Sequence, residues 1–218
     1  MTYIDAHCHL LKEDDFRDAH LVGVKQIILN ASSLGEWEKV QSLVQEGIIA
    51  SIGIHPWHIA SATDGWAEDM EKRLQSNPKL QIGEIGLDKL KPNLAFQKQI
   101  FLTQLNLAQK YNRIASIHCV RAWGEMMPLL RPFKKNVRML FHGFSGDKIV
   151  VGFLADSQSY FSVHTGSKIP LIPPDKLLVE SDAPDGMESP VALPFLYQQL
   201  GVNAEQICAN FERLINGR

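Results

Sequence analysis

Eight short apolar runs, most of them separated by segments of helical periodicity, predict an α/β fold, a (β/α)8 or TIM barrel. Ionisable residues cluster at the ends of those runs, where parallel barrels gather their working side chains. At 218 residues the chain is short for that fold. The shortage falls between the seventh and eighth runs, a brief segment that includes Pro170, Pro173 and Pro174. Proline lacks the amide hydrogen a helix needs, so a turn or single 3₁₀ turn is expected there, a truncated seventh helix. No repeat, low-complexity tract or linker interrupts the pattern, so one domain over residues 1–218 is expected.

The runs in order are Tyr3–His7, Lys25–Asn30, Ile48–Ile54, Gln81–Glu84, Ile114–His118, Arg138–His142, Tyr160–His164 and Leu177–Asp182. The clearest helix is Leu94–Tyr111. Leu94, Ile100, Phe101, Leu105 and Ala108 form one apolar stripe, and Gln97, Lys98, Gln104 and Gln109 cover much of the rest. Leu34–Gln45 is another, with Gly47 as its stop. Gly65–Gln75 follows Asp64, a good N-cap. The last helix starts at Asn203, with Gln206 completing a capping box, and runs to about Ile215.

Composition bounds the function. Hydrophobic residues make up 45% of the chain and the formal net charge is −2. That balance exerts no global pull toward nucleic acid or an anionic membrane, though a local basic patch remains compatible. Cys8, Cys119 and Cys208 show no disulfide or C-x-x-C spacing, which suits a reducing compartment. Cys8 and Cys119 each neighbour a histidine, and strand alternation turns them to the opposite face as small buried hydrophobes. The first residues have no basic or apolar leader pattern, and no apolar stretch is long enough to span a membrane. The expectation is a cytoplasmic protein with no membrane association and no obligate protein partner.

The chemistry starts at Asp5-Ala6-His7-Cys8-His9-Leu10. Alternate residues of a strand share a face, so His7 and His9 point the same way, a chelating pair for a divalent metal. His55 ends the third run, Glu84 the fourth, His118 the fifth, His142 the sixth, His164 the seventh and Asp182 the eighth. One histidine at a strand end is usually a packing or capping residue. Six candidate ligands at corresponding positions, His7, His9, Glu84, His118, His142 and Asp182, point instead to a metal site. Imidazole suits zinc, and a mixed imidazole and carboxylate set also accepts manganese or magnesium. Glu84, near the middle of the ring, is the candidate bridge between two ions.

The motifs together resemble the TatD family of metal-dependent deoxyribonucleases, within the amidohydrolase-like barrels. Besides the first segment they are Gly53-Ile54-His55-Pro56, Ile82-Gly83-Glu84-Ile85-Gly86-Leu87-Asp88, Ile117-His118, His142-Gly143-Phe144-Ser145-Gly146, Glu180-Ser181-Asp182-Ala183-Pro184 and Asn210-Phe211-Glu212-Arg213-Leu214. They fall in family order across nearly the whole chain. The resemblance implies two divalent ions, zinc, magnesium or manganese. His7, His9, Glu84 and Asp182 hold the first, and Glu84, His118 and His142 the second. It also implies that Asp182 orients or deprotonates the attacking water. His55 is not a ligand in the family pattern and stands near the bound phosphate. Catalysis then falls to Asp182, Glu84 and His55, with His55, Arg121 and His164 as candidate substrate contacts.

Other residues keep two readings. By strand parity Asp5 and Glu180 are either acceptors behind the ligand imidazoles or partners in a hydrogen bond inside the barrel. Arg121 either meets a phosphate or makes a surface salt bridge, and His164 either touches substrate or decorates the rim. His20 and His58 read as surface or structural residues.

The chain departs from the family after the eighth strand, where a basic, asparagine-containing loop is usual. Here the run is Asp185-Gly186-Met187-Glu188-Ser189-Pro190, with two acids and no lysine or arginine. Basic residues there would add affinity for a polyanion by releasing counterions. Lys89-Leu90-Lys91-Pro92 lacks the usual aromatic and offers two lysines, and Ser181 replaces a threonine. The leading expectation is a 3'-5' exonuclease-type hydrolase of DNA phosphodiesters. One alternative is a hydrolase of a smaller phosphoester or aminoacyl ester on the same metal site. Another is a non-catalytic metal-binding scaffold.

Overall fold

The first apolar run forms β1 (Tyr3–Cys8), and seven parallel strands follow it in the computed structural model. They are β2 (Val24–Asn30), β3 (Ile48–Ile52), β4 (Gln81–Asp88), β5 (Ala115–Val120), β6 (Met139–Phe141), β7 (Ser159–Val163) and β8 (Leu177–Val179). The structure describes residues 1–9, 12–166 and 169–217. Leu10, the last residue of the first motif, lies outside them. Strand order in the sheet is strand order in the chain, the arrangement of a (β/α)8 barrel.

The helices are α1 (Glu13–Leu21), α2 (Trp37–Ser42), α3 (Trp66–Ser76), α4 (Leu94–Tyr111), α5 (Trp123–Leu130), α6 (Lys148–Leu154), α7 (Leu193–Leu200) and α8 (Ala204–Asn216). Trp37, Phe101 and Phe211 are fully buried on α2, α4 and α8, which pack on β3, on β4, and on β1 with β8. Burying each such side chain contributes about 1.5–3 kcal/mol. Between β7 and β8 the chain makes only short 3₁₀ turns at Ile169–Leu171 and Pro174–Lys176. That is the truncation the prolines predict.

Four local expectations are corrected. The segment from Leu34 divides into a 3₁₀ turn (Leu34–Glu36) and α2, which stops at Ser42, well before Gly47. Gly47 adopts φ +83, where a Cβ would stand 2.3 Å from the Lys25 carbonyl oxygen. The N-cap of α3 is Gly65 at φ +84 and not Asp64. At α8 the Asn203 side chain does accept the Gln206 N–H at 3.1 Å. The Gln206 amide, however, donates to Asn210 Oδ1 at 2.8 Å, so the box is half made.

Strand ends also shift. Glu84 lies inside β4, which runs on to Asp88 because β5 pairs with it as far as Asp88↔Val120. Two glycines permit this. A Cβ on Gly83 would stand 2.6 Å from Ser116 Cβ, and Gly86, at φ +150, passes the His118 carbonyl where a Cβ would come within 2.0 Å. His118 lies within β5, and His142 and His164 lie one residue past β6 and β7. Asp182 falls three residues past β8. The chain bends there, with Asp182 at φ +49, so that its N–H reaches the His7 carbonyl at 3.0 Å.

That bend closes the barrel. The seam between β8 and β1 is not a regular ladder. Tyr197 of α7 donates its hydroxyl to the Ile4 carbonyl at 3.0 Å and accepts the Ile4 N–H at 3.3 Å. The Asp5 carboxylate accepts the Ser181 N–H at 2.9 Å and its hydroxyl at 2.5 Å. Beyond them His9 N–H donates to the Ala183 carbonyl at 2.7 Å. Side chains close the lower part of this seam, and two backbone hydrogen bonds above them bring His7, His9 and Asp182 together at the C-terminal mouth.

Candidate metal centre

Glu84 is the hub. Its carboxylate is almost wholly buried, and its two oxygens face different histidines. Oε2 lies 2.8 Å from His9 Nε2 and 3.5 Å from His7 Nε2. Oε1 lies 2.6 Å from His142 Nε2, 3.0 Å from His118 Nδ1 and 3.2 Å from His55 Nε2. Within each half the imidazole nitrogens face one another, His7 Nε2 to His9 Nε2 at 3.1 Å and His118 Nδ1 to His142 Nε2 at 3.1 Å. Asp182 Oδ1 sits 3.8 Å from His7 Nε2 and 4.0 Å from His142 Nδ1.

These donors fit divalent ions. Atoms bound to one tetrahedral zinc at about 2.0–2.1 Å stand about 3.3 Å apart, close to the spacings here. The buried atoms Glu84 Oε1, His118 Nε2 and His142 Nδ1 have no well-aligned hydrogen-bond partner. Leaving a buried carboxylate oxygen unsatisfied is costly, and a cation held by Glu84 Oε1 between His118 Nδ1 and His142 Nε2 relieves it. Groups of three whose ligand atoms lie within 4.8 Å of one another are His7, His9 and Glu84; His7, His142 and Asp182; and His55, Glu84 and His118.

What stands behind each ring separates ligands from donors. His9 Nδ1 lies 2.9 Å from the Asn30 carbonyl, so it carries the proton and Nε2 keeps its lone pair. His7 Nδ1 meets Ser116 Oγ at 3.0 Å and the Asn30 side-chain amide nitrogen at 3.1 Å. His142 Nδ1 turns toward Glu180 Oε1 at 3.8 Å, and His118 Nε2 toward Asp88 Oδ2 at 3.9 Å. His55 is held by a main-chain donor. Its Nδ1 accepts the Trp57 N–H at 3.1 Å, so the neutral ring carries its proton on Nε2. That nitrogen, 3.2 Å from Glu84 Oε1, is an N–H donor and has no lone pair to offer a metal.

The electrostatics follow from burial and this crowding. Burial raises the Glu84 carboxyl, but the histidines crowded around it, His142 first, outweigh that and hold it well below 4.5. Burial lowers His142, yet Glu84, with Glu180 behind, raises it well above 6.5. Burial likewise opposes ionisation of His9, and Glu84 overcomes it. His7, fully buried and beside His142, is lowered to about 3. Burial, with the Glu180 and Glu84 charges, raises Asp182 to about 6 despite His142. His55 is lowered, chiefly by burial.

The remaining candidates divide. Asp5 is the interior hydrogen-bonding residue of the seam, and burial raises its carboxyl to about 7. Glu180 backs His142 and also accepts from Gly143 N–H at 2.6 Å and from the Ser162 hydroxyl. Arg121, past β5 at φ +51, is exposed and forms no ion pair among the described residues. His164 Nδ1 donates to the Thr165 carbonyl at 3.0 Å. His20 meets Lys25 Nζ at 3.0 Å on the surface, and exposed His58 lies 6.3 Å from the His55 ring. Cys8 and Cys119 are buried, and burial lifts the Cys119 thiol to about 12. Sequence reading missed Asn30, Ser116 and Trp57, and quoted Asp88 without giving it a task. Parity was an available signal for two of them: Ser116 precedes His118 by two residues, and Asp88 follows Glu84 by four.

A carboxylate shared by two imidazole pairs at the mouth of a parallel barrel belongs to a metal-dependent hydrolase. A family model described as TatD related DNase matches residues 4–208, and the chain belongs to that family. It is 27% identical over 206 residues to the uncharacterized metal-dependent hydrolase YjjV of Escherichia coli K12, covering 84% of this chain and 80% of that one. It is 28% identical over 193 residues to the 3'-5' ssDNA/RNA exonuclease TatD of the same organism, covering 79% and 73%. The crystal structure of YjjV shares the fold at a TM-score of 0.88, 24% identity and 98% coverage of both chains. Among the described residues no helix is long and apolar enough to cross a membrane.

Proposed function

We propose that the protein hydrolyses phosphodiester bonds of single-stranded DNA from the 3' end, using two divalent ions. The observation that carries this reading is the divided Glu84 carboxylate, Oε2 toward His7 and His9 and Oε1 toward His118 and His142. His7, His9, Glu84 and Asp182 would hold one ion, and Glu84, His118 and His142 the other. Such ions, zinc, magnesium or manganese, supply Lewis-acid polarisation and neutralise charge on the transferring phosphoryl group. The relatives named as single-stranded exonucleases support the choice of substrate.

The side chains divide the remaining work. Asp182, raised to about 6, is ionised at neutral pH and is the base that takes the proton of the attacking water. His55 Nε2–H donates to the developing charge on the phosphoryl or leaving oxygen. The Trp57 N–H behind it holds that tautomer. Glu180 and Asp88 set negative charge behind His142 and His118, at 3.8 and 3.9 Å. Arg121 and His164, at the ends of β5 and β7, are assigned to contacts with substrate phosphate or sugar.

The test is product analysis of an end-labelled single-stranded oligonucleotide with Mg²⁺, Mn²⁺ or Zn²⁺, beside Glu84→Gln. A stepwise ladder shortening from the 3' end, absent in the variant, is expected. Intact strand with every metal, from folded and metal-loaded protein, overturns the reading.

One observation favours a second substrate class. Asp185 and Glu188 stand exposed in the loop that follows Asp182, where a polyanion would gain nothing. A small phosphoester or an aminoacyl ester avoids that rim. A panel of both against the oligonucleotide separates the two readings by kcat/KM.

A further inference from the structure

Beside the metal centre stands an aromatic side chain that folding does not need to expose. Trp57 is 53% exposed, whereas Trp37 is buried to 1%. It follows His55-Pro56 directly, and its ring centroid lies 5.3 Å from that of His55. The indole is fixed in place. Its Nε1–H donates at 2.7 Å to Asp88 Oδ2, on a carboxylate only 2% exposed. The other oxygen of Asp88 accepts the Leu90 N–H at 2.8 Å, which ties the turn after β4 to the same anchor. Lys91 Nζ lies over the indole ring, 4.1 Å from its centroid. A rigid, exposed indole suits nucleobase stacking on the face that Lys91 leaves open, and the ammonium beside it attracts phosphate.

The charge around the mouth agrees. Past β4 and β5 the chain offers Lys91 and Arg121, with Lys89 paired to Glu125 at 2.9 Å, while past β8 it offers Asp185 and Glu188. A single strand entering the site is drawn to the rim that carries Trp57.

We propose that Trp57, backed by Asp88 and flanked by Lys91, is the base-stacking platform of the site. It seats the nucleobase of the nucleotide whose phosphodiester reaches Glu84 and His55. The platform rests on the polynucleotide reading above and adds a preference for strands that carry a base at that position. Indole stacking tolerates any base, so the site discriminates base from no base rather than one sequence from another.

The test is binding of 5'-labelled single-stranded oligonucleotides to the metal-loaded protein by fluorescence anisotropy, with phosphorothioate linkages at the 3' end to keep the strands from being cut. One oligonucleotide carries thymines throughout, and the other is abasic over its last three nucleotides at the 3' end. Wild type should bind the first about tenfold more tightly. Trp57→Ala should lose that ratio, and Trp57→Phe, which keeps an aromatic face, should retain most of it. Circular dichroism and thermal melts establish that both variants are folded. The ratio is read within each variant, so a partly destabilised protein still reports. Equal binding of both strands by wild type, or a ratio that survives in folded Trp57→Ala, overturns the platform and leaves the nuclease reading standing. Failure of wild type to bind or cleave any strand, with turnover of small esters, overturns both.

Discussion

Hydrogen bonds behind the rings decide what each histidine at the mouth can do. His9 gives its Nδ1 proton to the Asn30 carbonyl and keeps a lone pair for a metal, whereas His55 receives the Trp57 N–H and keeps a proton to donate. Ser116→Ala removes the hydroxyl behind His7 while leaving every ligand in place. Metal affinity should fall about 10–100-fold, read by competition with a chromophoric chelator. Unchanged affinity would show that Ser116 does not orient His7. The same crowding predicts a pH dependence. Glu84 raises His142 and His9 in the metal-free protein, and a metal takes only the neutral rings. Binding therefore releases protons, and affinity should rise with pH across neutrality. Calorimetry in buffers of different ionisation enthalpy measures that release, and none at pH 7 would contradict the assignment. The pairing of His7 with His9 was legible because strand parity is a rule of the backbone. The proton on His55 was not, because a turn sets it through a main-chain N–H that no residue type signals.

Elements were legible where one local signal dominated. The apolar stripe of α4 placed the helix over Leu94–Tyr111, although Gln97 and Gln104, read as part of its polar side, are buried against the backbone of Asp88 and Ile54. The prolines before β8 likewise announced a turn where a helix is usual. Signals that competed with tertiary packing misled. In α2 the buried Trp37 indole donates to the Gly53 carbonyl at 2.8 Å, and the helix ends soon after that anchor at Ser42. In β4 the extension past Glu84 depends on pairing with β5, which a single run of residues does not reveal. The flanking glycines are the price of that extension. Gly83→Ala would drive a methyl into Ser116 Cβ and Asn30 Oδ1, each 2.6 Å away. It should cost about 1–3 kcal/mol in urea unfolding and lower turnover as well, because Glu84 and Ser116 move with the strand. A stability loss with turnover intact would mean that β4 yields without moving the carboxylate.

At the scale of the whole molecule, the seam and the site are one construction. The barrel closes through Tyr197, Asp5 and the bend at Asp182, and that bend delivers the aspartate to His7. Tyr197→Phe would leave the buried N–H and carbonyl of Ile4 without their partner. A loss of about 1–3 kcal/mol is expected in urea unfolding. A Tyr197→Phe protein as stable as wild type would show that the seam does not depend on this hydroxyl. The general plan of the barrel was legible because eight apolar runs have few other ways to bury themselves. The manner of closure was not, because it joins residues far apart in the chain through side chains. The central claim is that Glu84 joins two ions, and metal counting tests it most directly. Chelator-stripped protein, reloaded with zinc, desalted and assayed by elemental analysis, should carry two ions per chain. Glu84→Gln should retain at most one, held weakly. One ion per chain in wild type, or two retained by folded Glu84→Gln, would contradict the bridge.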